Sequence, residues 1–378
     1  MTNLAVAPES DATGVRIAVD AMGGDHGPAE VVPGALDHAR AHPEDTVLLV
    51  GDEAQIRAIA GELPRNTRIV HASQVIEMDE HPARALREKK DASVLVACEL
   101  VRKGDADAVL TAGHTGAAMA AAVLRIGRLP GVDRPALAVQ MIRKGAPFVL
   151  LDIGANPDSS AENLAQYARM GAIFAERVLH IENPRVALLS IGEEKGKGDL
   201  RIQQATELLD LSGLNFVGNV EGRDLTGTLA DVVVTDAVAG NVVIKFFEGL
   251  STFIFDLFRA EFGGSLRGKL AYLLFRPSIG RIRSVFDYER AGGSPLLGVR
   301  GSVIITHGSA RRRMIGFGCG VAADTARTRV PDLIAAALLE ASERAKAAAP
   351  SGDAGDSEPG ASPEDAASTT APVLEPGT

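Results

Sequence analysis

The sequence has no tryptophan, three tyrosines and only two cysteines, Cys98 and Cys319, in 378 residues. Two thiols are too few for a disulfide framework and fit a reducing cytoplasm. So few aromatic rings argue against an aromatic-rich binding surface. The N-terminus, MTNLAVAPESDATG, has neither a basic start nor a long apolar run, so no signal peptide is expected. No run of about 18 apolar residues occurs, and no transmembrane helix is expected. Neither a GxGxxG fingerprint nor a Walker sequence is found, which counts against a nucleotide. There is no GxSxG elbow and no CxxC pair, and the eight histidines are scattered. An acyl-enzyme on serine, a metal centre and a bound cofactor are therefore not expected. Basic residues are in deficit, 39 against 49 acidic, and the net charge of −10 disfavours nucleic acid as a general partner.

Glycine is abundant, at 40 residues. Residues 1–14 read as a flexible lead-in. Residues 349–378, rich in Pro, Ser, Ala, Gly and acids, cannot bury enough apolar surface to order and read as a disordered acidic tail. Between them, residues 15–348 read as a single catalytic domain. Apolar runs at 15–20, 46–51, 107–113, 148–154, 185–192 and 231–236 read as strands whose two faces are both covered. Helical patterns at 92–104 and 159–179 alternate with them. This order predicts an α/β fold, a three-layer α/β/α sandwich on a mostly parallel sheet.

Ligands in such sheets bind beyond the carboxyl ends of strands, and five strands run into Gly- or Asp-bearing loops. In AMGGDHGP, Gly23 and Gly24 offer backbone amides to an anion, or the loop is a tight turn with Asp25 capping the next helix. In TAGHTG, the amides around Gly113 and Gly116 can hold an oxyanion or phosphate. Thr115 is a candidate cap there, and His114 is either an acid–base group or a surface or capping residue. Asn156 ends the DIGAN loop. In GEEKGKG, Lys195 can neutralise phosphate, or the loop is merely solvated. In TDAVAGNVVIK, Asp236 and Asn241 either orient substrate or cap the turn, with Lys245 one helical turn on. His307 sits at a further strand-to-helix turn, ahead of Arg311–Arg313, which form either an acidic-partner patch or a solvated face. Both cysteines read as core residues.

Residues 242–290 read as a helical insertion. Residues 259–283 mix six Lys/Arg and one acid with bulky apolar residues, a composition suited to dimer packing, to contact with an anionic membrane, or to both.

Taken together, AVDAMGGDHGP (18–28), AGHTGA (112–117), LDIGANPD (151–158), LLSIGEEKGKG (188–198), VVVTDAVAGNVVIKFFEG (232–249) and SPLLGVRG (294–301) resemble the bacterial phosphate acyltransferase family of phospholipid synthesis. The resemblance runs from about Val15 to Ala348. It implies a fold similar to the isocitrate/isopropylmalate dehydrogenase-like fold. The implied reaction turns acyl-[acyl carrier protein] and inorganic phosphate into acyl phosphate and free carrier. The implied enzyme is a cytoplasmic homodimer, peripheral on the inner face of the membrane, feeding a downstream glycerol-3-phosphate acyltransferase. In that reaction Lys195 is expected to meet phosphate, Asn241 and the Gly23 and Gly24 amides to donate to phosphate or oxyanion, Asp236 to orient Lys195 or Asn241, and His307 to assist proton transfer. The competing readings are a short-chain phosphotransacylase using coenzyme A, a decarboxylating dehydrogenase of similar fold, and a non-enzymatic membrane scaffold.

Overall fold

The computed structural model describes residues 14–143, 146–285 and 287–348; the lead-in up to residue 13 and the acidic tail lie outside them. Strands are β1 (Arg16–Asp20), β2 (Thr46–Gly51), β3 (Thr67–His71), β4 (Ala108–Thr111), β5 (Ala136–Arg143), β6 (Ala146–Leu151), β7 (Val186–Leu189), β8 (Phe216–Val220), β9 (Val232–Val234), β10 (Ser294–Leu297) and β11 (Ser302–Ile305). The helices are α1 (Pro28–Ala41), α2 (Glu53–Ala60), α3 (Pro82–Glu88), α4 (Ser93–Lys103), α5 (Thr115–Ala121), α6 (Ala161–Arg177), α7 (Leu200–Asp210), α8 (Ala237–Gly263), α9 (Leu266–Val285), α10 (Arg312–Arg327) and α11 (Val330–Ala348).

Among the described residues one sheet forms, in the order β3-β2-β1-β4-β11-β10-β5-β6-β9-β7-β8. The first five strands in that order are mutually parallel, and so are the last four. Antiparallel pairings of β10 with β11 and β5, and of β5 with β6, join the two halves. The second half therefore runs opposite to the first.

The continuous apolar runs are explained by burial on both faces. Ile17, Val19, Val47 and Leu49 pack under α1 and α10, while their neighbours Ala18, Leu48 and Val50 pack under α4 and α5. In the second half Val149 and Leu151 meet α6, and Phe148 and Leu150 face the side carrying α8. The result is three layers, as the sequence implies. β3 and β8, which the apolar runs do not mark, are edge strands, where polar residues are tolerated.

α1 begins at Pro28, and its N-cap is Gly27 at φ 50°, so Asp25 is not the cap. His38 on α1 and His42, the residue that caps its C-terminal end, form an HxxxH spacing that a scattered set of histidines does not suggest; their rings stack 4.5 Å apart. His38 also meets the buried Asp45 at 3.3 Å, and Asp45 takes hydrogen bonds from Val15 N and Arg327 Nη2. His42, Glu44 and Asp45 have ligand atoms close enough for a cation, but Asp45 is already neutralised by Arg327. Burial, with His42 adding repulsion, holds the His38 pKa below its ordinary 6.5. The unfolded chain thus takes the proton first as pH falls. Stability from this group is full above about pH 6.5 and is lost as pH drops below it. Urea midpoints at about pH 7.5 and 5.5, roughly one unit either side of the ordinary histidine pKa, should differ less in His38→Gln than in the wild type. An equal difference in both would show that His38 does not titrate on unfolding.

α8 departs from the sequence expectation. Lys245 and Glu248 interrupt its apolar run, yet by length and composition it is a helix able to cross a membrane, and little of it is buried. Val238, Val242, Phe246, Phe253 and Leu257 are exposed along it, as are Leu270, Leu273, Leu274 and Phe275 on α9.

Candidate active site

The carboxyl ends of β1, β4 and β11 meet through their loops. A Cβ on Gly23 would lie 2.7 Å from Gly113 N, and one on Gly24, at φ +92°, would lie 3.0 Å from Gly308 O. Asp25 N donates to Gly308 O at 2.8 Å. These glycines let three backbones interlock. Gly113 N donates to Thr111 Oγ1, which donates to Asp20 Oδ2 at 2.7 Å. Burial raises the Asp20 pKa against these hydrogen bonds, and its Oδ1 has no partner among the described residues.

The amide cradle expected in TAGHTG is already occupied. His114 is the N-cap of α5, and its Nδ1 accepts from Gly116 N at 3.0 Å and Ala117 N at 3.4 Å. Thr115 is therefore not the cap. An imidazole accepting at Nδ1 carries its proton on Nε2 when neutral.

On the second half, Asp152 is fully buried after β6. Its carboxylate accepts from Leu137 N, Gly154 N, Ala155 N and Asn156 N, and from Asn156 Nδ2 at 3.0 Å. Burial pushes its pKa up while these donors pull it down. Asn156 thus holds the turn and does not line the cleft described next. Asp236 caps α8, accepting from Val238 N and Ala239 N, and its other oxygen accepts from Arg201 Nη2 at 2.9 Å. Arg201, which no motif picks out, also donates to Asp199 Oδ2 and Ser159 O. It ties the loop after β7, the loop after β6 and the start of α8 into one unit.

A cleft of about 740 Å³ opens between the two sets of loops. Asp25, Thr115, His307 and Gly308 line it from the first half, Asn241 and Lys245 from α8, and Leu137, Val139 and Met141 from β5. Lys245 Nζ lies 3.3 Å from His307 Nε2 and 2.9 Å from Glu248 Oε2. Ser309 N donates to His307 Nδ1 at 3.2 Å, with Ser309 Oγ 2.7 Å from the same nitrogen, so the neutral ring carries its proton on Nε2 and pairs with the Lys245 ammonium as a second donor at the cleft. The side chains of Asp25, Thr115 and Asn241 have no hydrogen-bond partner among the described residues, so they can serve a ligand.

Lys195 is a correction. It stands 74% exposed, bound to Asp210 Oδ2 at 2.7 Å, and does not line the cleft. β7 lies one strand from the sheet edge, and its loop contributes nothing to the cleft lining. Asp236 accordingly orients neither Lys195 nor, directly, Asn241. The arginine run is also neutralised within the chain: Arg312 by Asp37 and Arg313 by Asp287 and Glu289, with Arg311 3.5 Å from Glu30. Burial pushes both thiols up to about 12, which leaves Cys98 and Cys319 inert in the core.

Residues 15–333 match the family model described as fatty acid synthesis protein. A phosphate acyltransferase from Desulfitobacterium hafniense strain Y51 is 48% identical over 304 residues, 80% of this chain and 90% of that protein. One from Myxococcus xanthus is 45% identical over 314 residues, 82% of this chain and 89% of that protein. The chain belongs to the phosphate acyltransferase family. Like its relatives, this phosphate acyltransferase is an acyl-transferring enzyme. A phosphotransacetylase from Streptococcus pyogenes shares the fold, with a TM-score of 0.58 at 17% identity, over 83% of this chain and 94% of that one. The phosphate acyltransferase motifs AGHTGA and LDIGANPD thus build the walls of the cleft, while the polar groups free to meet a ligand come from the first loop, α5, α8 and the His307 turn.

Proposed function

We propose that this enzyme moves a fatty acyl group from acyl carrier protein onto inorganic phosphate, giving acyl phosphate and the free carrier thiol. One observation carries the reading: a Lys–His pair spans the two halves of the sheet at the head of an apolar cleft. Hydrogen phosphate set between Lys245 and His307 accepts from the Lys245 ammonium and from the Nε2–H of His307. A phosphate oxygen attacks the thioester carbonyl and the carbon–sulfur bond breaks. The proton lost by hydrogen phosphate ends on the carrier sulfur, so atoms and charge balance, and His307 holds the phosphate in line through its Nε2–H. Asn241 and Thr115 supply donors for the carbonyl oxygen as it becomes an oxyanion. A thiol of ordinary pKa near 8.5 leaves readily, so positioning and oxyanion stabilisation carry most of the load. Gly23 and Gly24 act by closing the loops together rather than by cradling an anion.

The same reading has a cytoplasmic homodimer touching the inner face of the membrane and passing acyl phosphate to a glycerol-3-phosphate acyltransferase. The exposed apolar residues of α8 and α9, interleaved with Arg267, Lys269 and Arg276, support it.

The test is thiol release from palmitoyl-acyl carrier protein with and without phosphate. Phosphate-dependent release with a hydroxylamine-reactive product is expected. Release only from acyl-coenzyme A would favour the short-chain phosphotransacylase, and none from either donor would sink the acyl-transfer reading.

A further inference from the structure

α8 turns two adjacent stripes towards the cleft. Asn241, Lys245 and Glu248 recur at helical spacing on the side where Lys245 meets His307. Gly240, Ile244, Phe247 and Ser251 form the next stripe. Gly240 and Ser251 are buried, and Gly240 lies against the backbone of Asp152. Ile244 and Phe247 pack on the cluster around Met141, Phe148, Leu150 and Val233. The cleft therefore continues from its polar head into an apolar channel between α8 and β5, lined by Val139, Met141, Ile153, Ile244 and Phe247.

We propose that this channel holds the acyl chain and that Phe247 closes its far end, setting the longest acyl group handled efficiently. The inference rests on the acyl-transfer reading above. Phe247 follows Asn241 by six residues and Lys245 by two on the same helix. Apart from the imidazole of His307, it carries the one aromatic ring lining the cleft among the described residues. Phe148 and Leu150 belong to the packed cluster behind it, so a longer chain cannot push the ring aside without disturbing close-packed atoms.

The experiment compares kcat/KM for phosphate-dependent thiol release across saturated acyl-carrier donors differing by two carbons. Each methylene that gains apolar contact is worth about fourfold. In Phe247→Ala the preference for the longer of two donors beyond the wild-type optimum should rise on the order of tenfold, and in Phe247→Trp it should fall by a similar factor. An unchanged length preference in the folded variants overturns the proposal. If Phe247→Ala does not fold, Ile244→Phe narrows the channel nearer its head and should shorten the preferred chain; no shift there overturns the proposal equally. Wild-type enzyme that releases no thiol from any donor sinks the acyl-transfer reading and this proposal with it. Wild-type turnover with unshifted variants sinks this proposal alone.

Discussion

Lys245→Met is expected to lower kcat/KM for phosphate-dependent acyl transfer by about two to three orders of magnitude, the usual cost of deleting one preorganised donor to developing negative charge. Its side chain is 53% exposed and its ion partner in the chain is Glu248. Exposed pairs of that kind contribute about 0–1 kcal/mol to stability, so the unfolding midpoint should barely move. His307→Ala should cost a similar factor by removing the second donor to phosphate. Because the two side chains act on one phosphate, the double variant should be far less impaired than the product of the single losses. Strictly multiplicative losses would mean that the two do not work as a pair. Full activity in a folded Lys245→Met would remove Lys245 from the reaction.

Gly240→Ala should be the most damaging single methyl in α8. Its Cβ would lie 2.0 Å from the carbonyl oxygen of Asp152 and 2.9 Å from its carbonyl carbon. Both are backbone atoms, and the side chain of that residue is held by five N–H groups, so the helix has to move. Overpacking of this kind costs about 1–3 kcal/mol. A displacement of about 1 Å carries Asn241 and Lys245 with it and is expected to reduce turnover by about a hundredfold. Gly249 on the same helix is the control: a Cβ there meets nothing within 4 Å. Gly249→Ala should keep activity and add up to about 1 kcal/mol of stability by helix propensity. Kinetics and thermal unfolding of both variants check this, and a Gly240→Ala enzyme with normal kcat/KM would show that α8 is not fixed by this contact.

The sheet was legible where strands are buried on both faces. VRIAVD and FVLLDIG carry no alternation, as a strand covered on both faces requires. β5 and β10 were harder: ALAVQMIR reads equally as a helix segment or a strand, and only the antiparallel ladders through Leu296 and Leu137 decide it. The site was half legible. Loops at strand ends point to the cleft, and Asn241, Lys245, His307, Asp25 and Thr115 line it together. Lys195 misleads because a lysine between glycines has the same local pattern whether its strand lies beside the cleft or near the sheet edge. His114 and Asp236 mislead because a helix cap and a ligand donor occupy the same position at a strand-to-helix turn. Arg201 gives no local signal, since its partners lie on three separate loops.

The antiparallel seam of β10 and β5 has a mechanical consequence. Of the three ladders that join the half-sheets, those of β10 with β11 and with β5 have two residue pairs each, so the sheet is narrowest there and each half can act as a jaw. The head group of a ligand touching both Lys245 and His307 is then a crossbar between them, and its binding stiffens the hinge.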